Sequence, residues 1–231
     1  MQRRRFTSSL LSGAGLCCVG ISPVHAISAL SDGDAASGIR AALERGAESA
    51  IALLGKPDGF LGNPKVRIPL PGFLKDAAKL LKATGQGKSV EELVTAMNRA
   101  AEAAVPQAKE LLLDAVKSMS VEDGAHILSG GDNSVTEFFT NKTREPLSVK
   151  FLPIVTQATE KVSLSEKYNA VAGKAAGMGL LDKKDANVQQ YVTGKALDGL
   201  YLMIGEEERK IRKDPLGTGS DILKKVFGSL K

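Results

Sequence analysis

The stretch VTAMNRAAEAAVPQAKELLLDAVKSM, residues 94–119, has the spacing of one long helix with a proline near its middle. At 100° per residue, Val90, Leu93, Met97, Ala101, Ala104, Ala108, Leu111, Ala115 and Met119 fall on one stripe, as in a helix that lays an apolar face on a core. Arg99, Pro106 and Leu113 fall opposite, with Glu102 beside them. The proline removes the hydrogen bond to the Glu102 carbonyl and pushes that carbonyl away. On a wet face water satisfies the carbonyl, and the helix bends around the core. Arg99 and Glu102 are an i,i+3 pair, worth roughly 0.2–0.5 kcal/mol on a surface. Ala96, Ala100 and Ala103 flank the same side, so a second packed element there would bury the pair. Buried, it becomes a site candidate, because desolvated charges are costly without partners or a purpose.

Helical signals dominate the flanking sequence. Ser31 and Asp34 form a capping pattern ahead of Ile39, Leu43, Ala47, Ala50, Ile51 and Leu54, and Gly55 closes that segment. The next stretch, GKPDGFLGNPKVRIPLPG, has prolines at 57, 64, 69 and 71, which excludes a helix. Within it, residues 65–69 alternate well enough for a short extended segment, which Pro69 would confine to an edge. Helix is expected again over Gly72–Thr84. Ser89 and Glu92 form a capping box for the opening helix, and SVED (120–123) caps a short one. Asp132 or Asn133 is expected to cap SVTEFFTNKT, and Pro146 and Pro153 to punctuate the helical stretch after it. A helix of about 25 residues should run from Asp185 towards Arg212, with a last short one after Thr218. These elements define an all-α, bundle-like domain with one long Pro/Gly-rich loop.

The chain starts MQRRRFTSSLLSGAGLCCVGISPVHA, with a basic start, a mildly apolar middle and a small-x-small ending at Ala26. This is the pattern of a cleaved export signal over 1–26, leaving one helical domain over 27–231 in the periplasm. Arg3 to Phe6 resembles a twin-arginine element, and the general secretory route remains the alternative. Cys17 and Cys18, the only cysteines, lie in the leader, so the mature form would lack thiols. His25 would leave too, so a zinc site or a Ser-His-Asp triad would depend on His126 alone. The leader carries three of the 31 basic residues and none of the 26 acidic ones, so cleavage lowers the net charge from +5 to +2. A nucleic-acid partner is therefore not expected. No later apolar run reaches the roughly 20 residues of a membrane span, and no cofactor or metal motif is present.

The motifs KPDGFLGNPKVRIPLP, MNRAAEAAVP, ILSGGDNSVTEFF and ALDGLYLMIGEEERKIRKDP together resemble domain of unknown function 4197, a bacterial envelope family, roughly from Ala29 to Gly228. The resemblance implies an exported, mostly helical domain. It carries over no activity, cofactor or catalytic residue.

Two functional expectations stand side by side. The first is a non-catalytic envelope protein that binds a protein partner or an apolar, lipid-like ligand. Its surface would be the loop residues Phe60, Ile68, Leu70, Phe73 and Leu74. The alternative is a carboxylate-based hydrolase centred on Arg99, Glu102 and Glu207, with Asp114 and Asp198 as further carboxylates of no selective spacing. Gly130, Gly131 and Ser134 form a weaker candidate: two glycines before a helix start expose backbone N–H groups that could hold an anion. GEEERKIR (205–212) places Glu208 four residues before Arg212, an arrangement expected on an exposed helix face.

Overall fold

A computed structural model describes residues 32–214 apart from 75–77, 80–82, 84, 86, 132, 161–164, 167, 171–176, 178 and 180–186. The leader and the expected last helix lie outside these residues. The described chain is all-α, with no strand. Its helices are α1 (Asp32–Leu54), α2 (Gly87–Ala104), α3 (Ala108–Lys117), α4 (Val121–Ser129), α5 (Ser134–Thr159) and α6 (Val188–Lys213). None is long and apolar enough to cross a membrane.

The apolar stripe of α1 is buried at Ile39, Leu43, Ala47, Ala50 and Leu54, and the helix closes where the Gly55 N–H reaches Ile51 O. Helices α5 and α6 pack along each other; α1 lies on α6 and α3, and α2 lies on α5 and α6. One continuous core results, running from Ile39 through Phe139 and Phe151 to Ile204.

The opening stretch is α2, a 3-10 turn at Val105–Gln107, and α3. Pro106 has no N–H, and the Ala108 N–H bonds back to Val105 O, so the backbone tightens for one turn. Leu112 and Val116 complete the buried stripe one and two turns beyond Ala108, and Leu111 is only half-buried. The Pro106 ring is exposed to solvent yet packs on Gly55, where a Cβ would come within 2.9 Å of its Cγ.

Several expected boundaries move. Helix α2 starts at Gly87, so Ser89 lies inside it and does not cap it. The Ser120–Asp123 capping box is present, with both reciprocal hydrogen bonds formed. Asn133 stands at the start of α5 without a side-chain cap. Helix α5 also runs unbroken through Pro146 and Pro153. Both prolines are exposed, and the carbonyls they deprive belong to the exposed residues Lys142 and Val149, on a face where water can replace the missing N–H. Asn187 caps α6 by accepting from the Gln190 N–H. The segment expected over Gly72–Thr84 opens as a 3-10 turn at Gly72–Leu74.

The extended segment expected at 65–69 does not form a strand. Residues 64–66 make a turn, and 67–71 have no regular structure. The reason lies in α2, whose Asn98 takes the hydrogen bonds a neighbouring strand would have supplied.

Candidate functional site

The polar side of α2 and the Pro/Gly loop form one unit. Helical spacing puts Asn98 and Glu102 one turn apart on the same face. Both side chains are buried, Asn98 fully and Glu102 nearly so. Glu102 Oε1 accepts the N–H groups of Phe60 and Leu61, each at 3.0 Å. Glu102 Oε2 accepts from Arg99 Nη1 at 2.7 Å, and Arg99 Nη2 reaches Asp58 Oδ1 at 2.8 Å. Asn98 Oδ1 accepts the Ile68 N–H, while its Nδ2 donates to the carbonyls of Ile68 and Val94. Tyr191 of α6 adds a third tie, its hydroxyl donating to Pro69 O at 3.0 Å.

These bonds answer a requirement of the loop. A segment with so many prolines and glycines cannot pair its own N–H groups in a helix, and buried backbone groups must be paired. Gly59 fits because a Cβ there would collide with the Leu54 carbonyl, and Asp58 adopts a left-handed φ of 65° to make the turn. Hydrogen bonding to Glu102, more than to Asp58, raises the Arg99 pKa above its ordinary value. The Arg99 side chain is nonetheless 42% exposed against 6% for Glu102, so the pair is half in water.

The structure thus joins Arg99 to Glu102 but does not add Glu207. Glu207 pairs with Lys210 at 2.6 Å and sets its Cβ against Gly46 of α1. Asp114 pairs with Lys117, and Asp198 with Arg144 and Lys195, all on exposed surface. Each candidate carboxylate has its own cation, and both Glu102 oxygens are already bonded to protein. Among the described residues no group of three or more histidines and carboxylates could hold a metal ion. His126 is exposed on α4.

Of the expected loop surface, Phe60 and Ile68 belong to the core and not to a ligand face, at 0% and 1% exposed. Leu70 and Leu74 are half-buried against that core, and Phe73 lies in the 3-10 turn. The outward edge of the loop instead carries Lys65, Arg67, Pro69 and Leu70. Between this edge and α6 runs an open groove of about 710 Å³, bordered by Pro71 and Leu202 as well. A second groove of about 350 Å³ lies across the same ridge, against Val90 and Val94, and shares Arg67, Pro69 and Leu70.

At SGGDNS, Gly130 is the C-cap of α4, with its N–H on His126 O, and Gly131 O accepts the Ser134 N–H. Ser134 is buried; its hydroxyl donates to Ile127 O and accepts from Arg212 Nη2. The carboxylate that sits there belongs to the chain: Glu208 Oε1 lies 3.5 Å from Ser134 Oγ and 2.8 Å from Arg212 Nε. Asp132 falls outside the described residues. The Glu208–Arg212 pair is not on an exposed face; the two side chains are 6% and 19% exposed. Ile204, Glu208 and Ile211 share one inward stripe of α6, and that stripe was the signal in the sequence.

Glu208 Oε2 is buried without a hydrogen bond. It borders a cavity of about 20 Å³ lined mainly by Ile39, Leu43, Ile127, Val135, Ile204 and Ile211. Desolvation therefore raises the Glu208 pKa, outweighing the hydrogen bond and charge of Arg212 and the weaker help of the Val135 amide and Ser134. The folded state then keeps a proton that the unfolded state has released. Stability from this group is complete below the unfolded carboxylate value of about 4.3 and is lost as pH rises through the higher folded one. Denaturation curves across that window should show the fall, and Glu208→Gln, which cannot ionise, should flatten it. An unchanged slope in the variant would assign the pH dependence elsewhere.

The fold and site define an all-helical domain in which one side-chain network fastens a loop of turns, without helix or strand, over a core. Over residues 29–228 the chain matches the family described as protein of unknown function (DUF4197), and it belongs to that family. No curated protein and no solved structure matches it.

Proposed function

We propose that this chain is a non-catalytic envelope protein, exported by the leader 1–26, that binds a lipid-like ligand along the outer edge of its loop. The observation that carries this reading is the groove of about 710 Å³ between the loop edge and α6. Its size is that of a small-molecule site, within about 300–1,000 Å³. Pro69, Leu70, Pro71 and Leu202 give it apolar walls, and Leu202 is 40% exposed, an apolar surface left open among the described residues. The loop is tied at Phe60, Leu61, Ile68 and Pro69, so little ordering is needed on binding. A hydrolase finds less support, since Glu102 has no oxygen left for a substrate and Glu207 stands apart from it.

Native mass spectrometry of the protein purified gently from its own periplasm, followed by solvent extraction, tests both halves of the proposal. A mature mass beginning at Ile27 with a co-purifying lipid is the expected result. Protein found in the cytoplasm with residues 1–26 attached would overturn export, and protein free of any lipid that also takes none up from mixed vesicles would overturn binding.

A further inference from the structure

We infer that the ligand of the groove is an anionic amphiphile of the long-chain carboxylate type, with Arg67 as its headgroup anchor; this rests on the lipid-binding reading of the groove. Four charged residues line the groove, and three of them, Lys65, Arg67 and Lys195, are cationic against Asp198. Their commitments differ. Lys65 is held by Glu206 at 2.8 Å, and Lys195 shares Asp198 with Arg144. Arg67 has no carboxylate partner among the described residues: its one side-chain bond runs from Nη1 to the Leu61 carbonyl at 3.0 Å.

That single bond fixes the guanidinium without neutralising it. The Leu61 amide is itself held by Glu102, so the anchor is positioned through the fastened loop. The remaining N–H groups of the planar fork match the two oxygens of a carboxylate. Arg67 also stands where the two grooves meet, on the ridge formed by Pro69 and Leu70. A headgroup on Arg67 therefore leaves its chain lying on proline and leucine, with Leu202 on the facing helix. An uncharged lipid would leave the guanidinium facing an apolar chain and strip part of its hydration with nothing in return. The groove thus discriminates by charge at one end and by apolar contact along its length.

Titration of the purified protein with oleate, with methyl oleate and with acetate separates the possibilities. Oleate is expected to bind at least tenfold more tightly than the methyl ester, which has the same chain without the charge. In Arg67→Gln, whose exposed side chain should leave folding unchanged by circular dichroism, that preference should vanish and both lipids should bind equally weakly. Equal binding of oleate and its ester to the unaltered protein would overturn the anionic anchor while leaving lipid binding intact. Displacement of oleate by acetate at equal concentration would also overturn the inference, because it would mark a bare anion site. Binding of neither lipid would overturn the inference and the reading beneath it together. An Arg67→Gln protein that keeps the preference would move the anchor elsewhere and so refute the role assigned to this residue.

Discussion

Glu102→Ala is expected to destabilise the protein by about 3–5 kcal/mol, the range for removing one member of a buried, hydrogen-bonded ionic group. The loss has two parts. The N–H groups of Phe60 and Leu61 lose their shared acceptor, and the Phe60 amide is buried where water cannot replace it. Arg99 loses its nearer carboxylate, which matters less because the guanidinium is half in water. Two further variants separate these parts. Glu102→Gln keeps an oxygen for both amides but turns an NH2 donor towards Arg99 in place of the accepting oxygen, so it should cost about 1–2 kcal/mol. Asp58→Asn touches only the exposed end of the network and should cost under about 0.5 kcal/mol. Urea denaturation of the three variants checks the order. A Glu102→Ala loss no larger than that of Asp58→Asn would mean that the loop is held by Asn98, Tyr191 and its apolar contacts without help from Glu102.

The same network marks the limit of what a linear sequence discloses. Periodicity placed the helices, because burial of an apolar stripe is written at a spacing of 3.6 residues. Composition placed the loop, because four prolines and four glycines forbid a helix whatever surrounds them. Arg99 and Glu102 were legible as a pair, since they are three residues apart. The true partners of Glu102, however, are amides 41 and 42 residues away, and no local pattern encodes that meeting. Asn98 shows the same limit: it pairs with Ile68 and so replaces the strand that residues 65–69 suggested. Prolines 146 and 153 misled for the opposite reason. Their local effect is real, but the solvent-facing geometry that makes it tolerable is a property of the packed helix. Leu112, one turn beyond Ala108, takes the buried place that the helical wheel assigned to Leu111. Glu208 was hidden by plausibility: a glutamate four residues before an arginine looks like surface until its neighbours Ile204 and Ile211 are counted as core.

Phe60→Ala should be comparably damaging, at about 3–5 kcal/mol, because the ring is fully buried and the fastened loop cannot collapse into the space it leaves. A partner residue makes this prediction sharper than a simple loss. Gly199 lies inside α6, where glycine is about 1 kcal/mol worse than alanine by helix propensity. A Cβ there would come within 2.7 Å of Phe60 Cε1 and 3.3 Å of Val66 Cβ, so the glycine makes room for the ring. In the unaltered protein, overpacking should therefore defeat propensity, and Gly199→Ala should cost about 1–3 kcal/mol. With Phe60 already alanine the closest obstruction is gone and only the Val66 Cβ contact remains, so the same Gly199→Ala change should turn from costly to neutral or stabilising, by up to about 1 kcal/mol. A double-mutant cycle measured by denaturation reads this reversal directly as a coupling energy. Strict additivity of the two substitutions would show that the ring and the helix backbone do not press on one another, and the fastening of the loop to α6 would then fall to the Tyr191–Pro69 hydrogen bond and the Lys65–Glu206 ion pair.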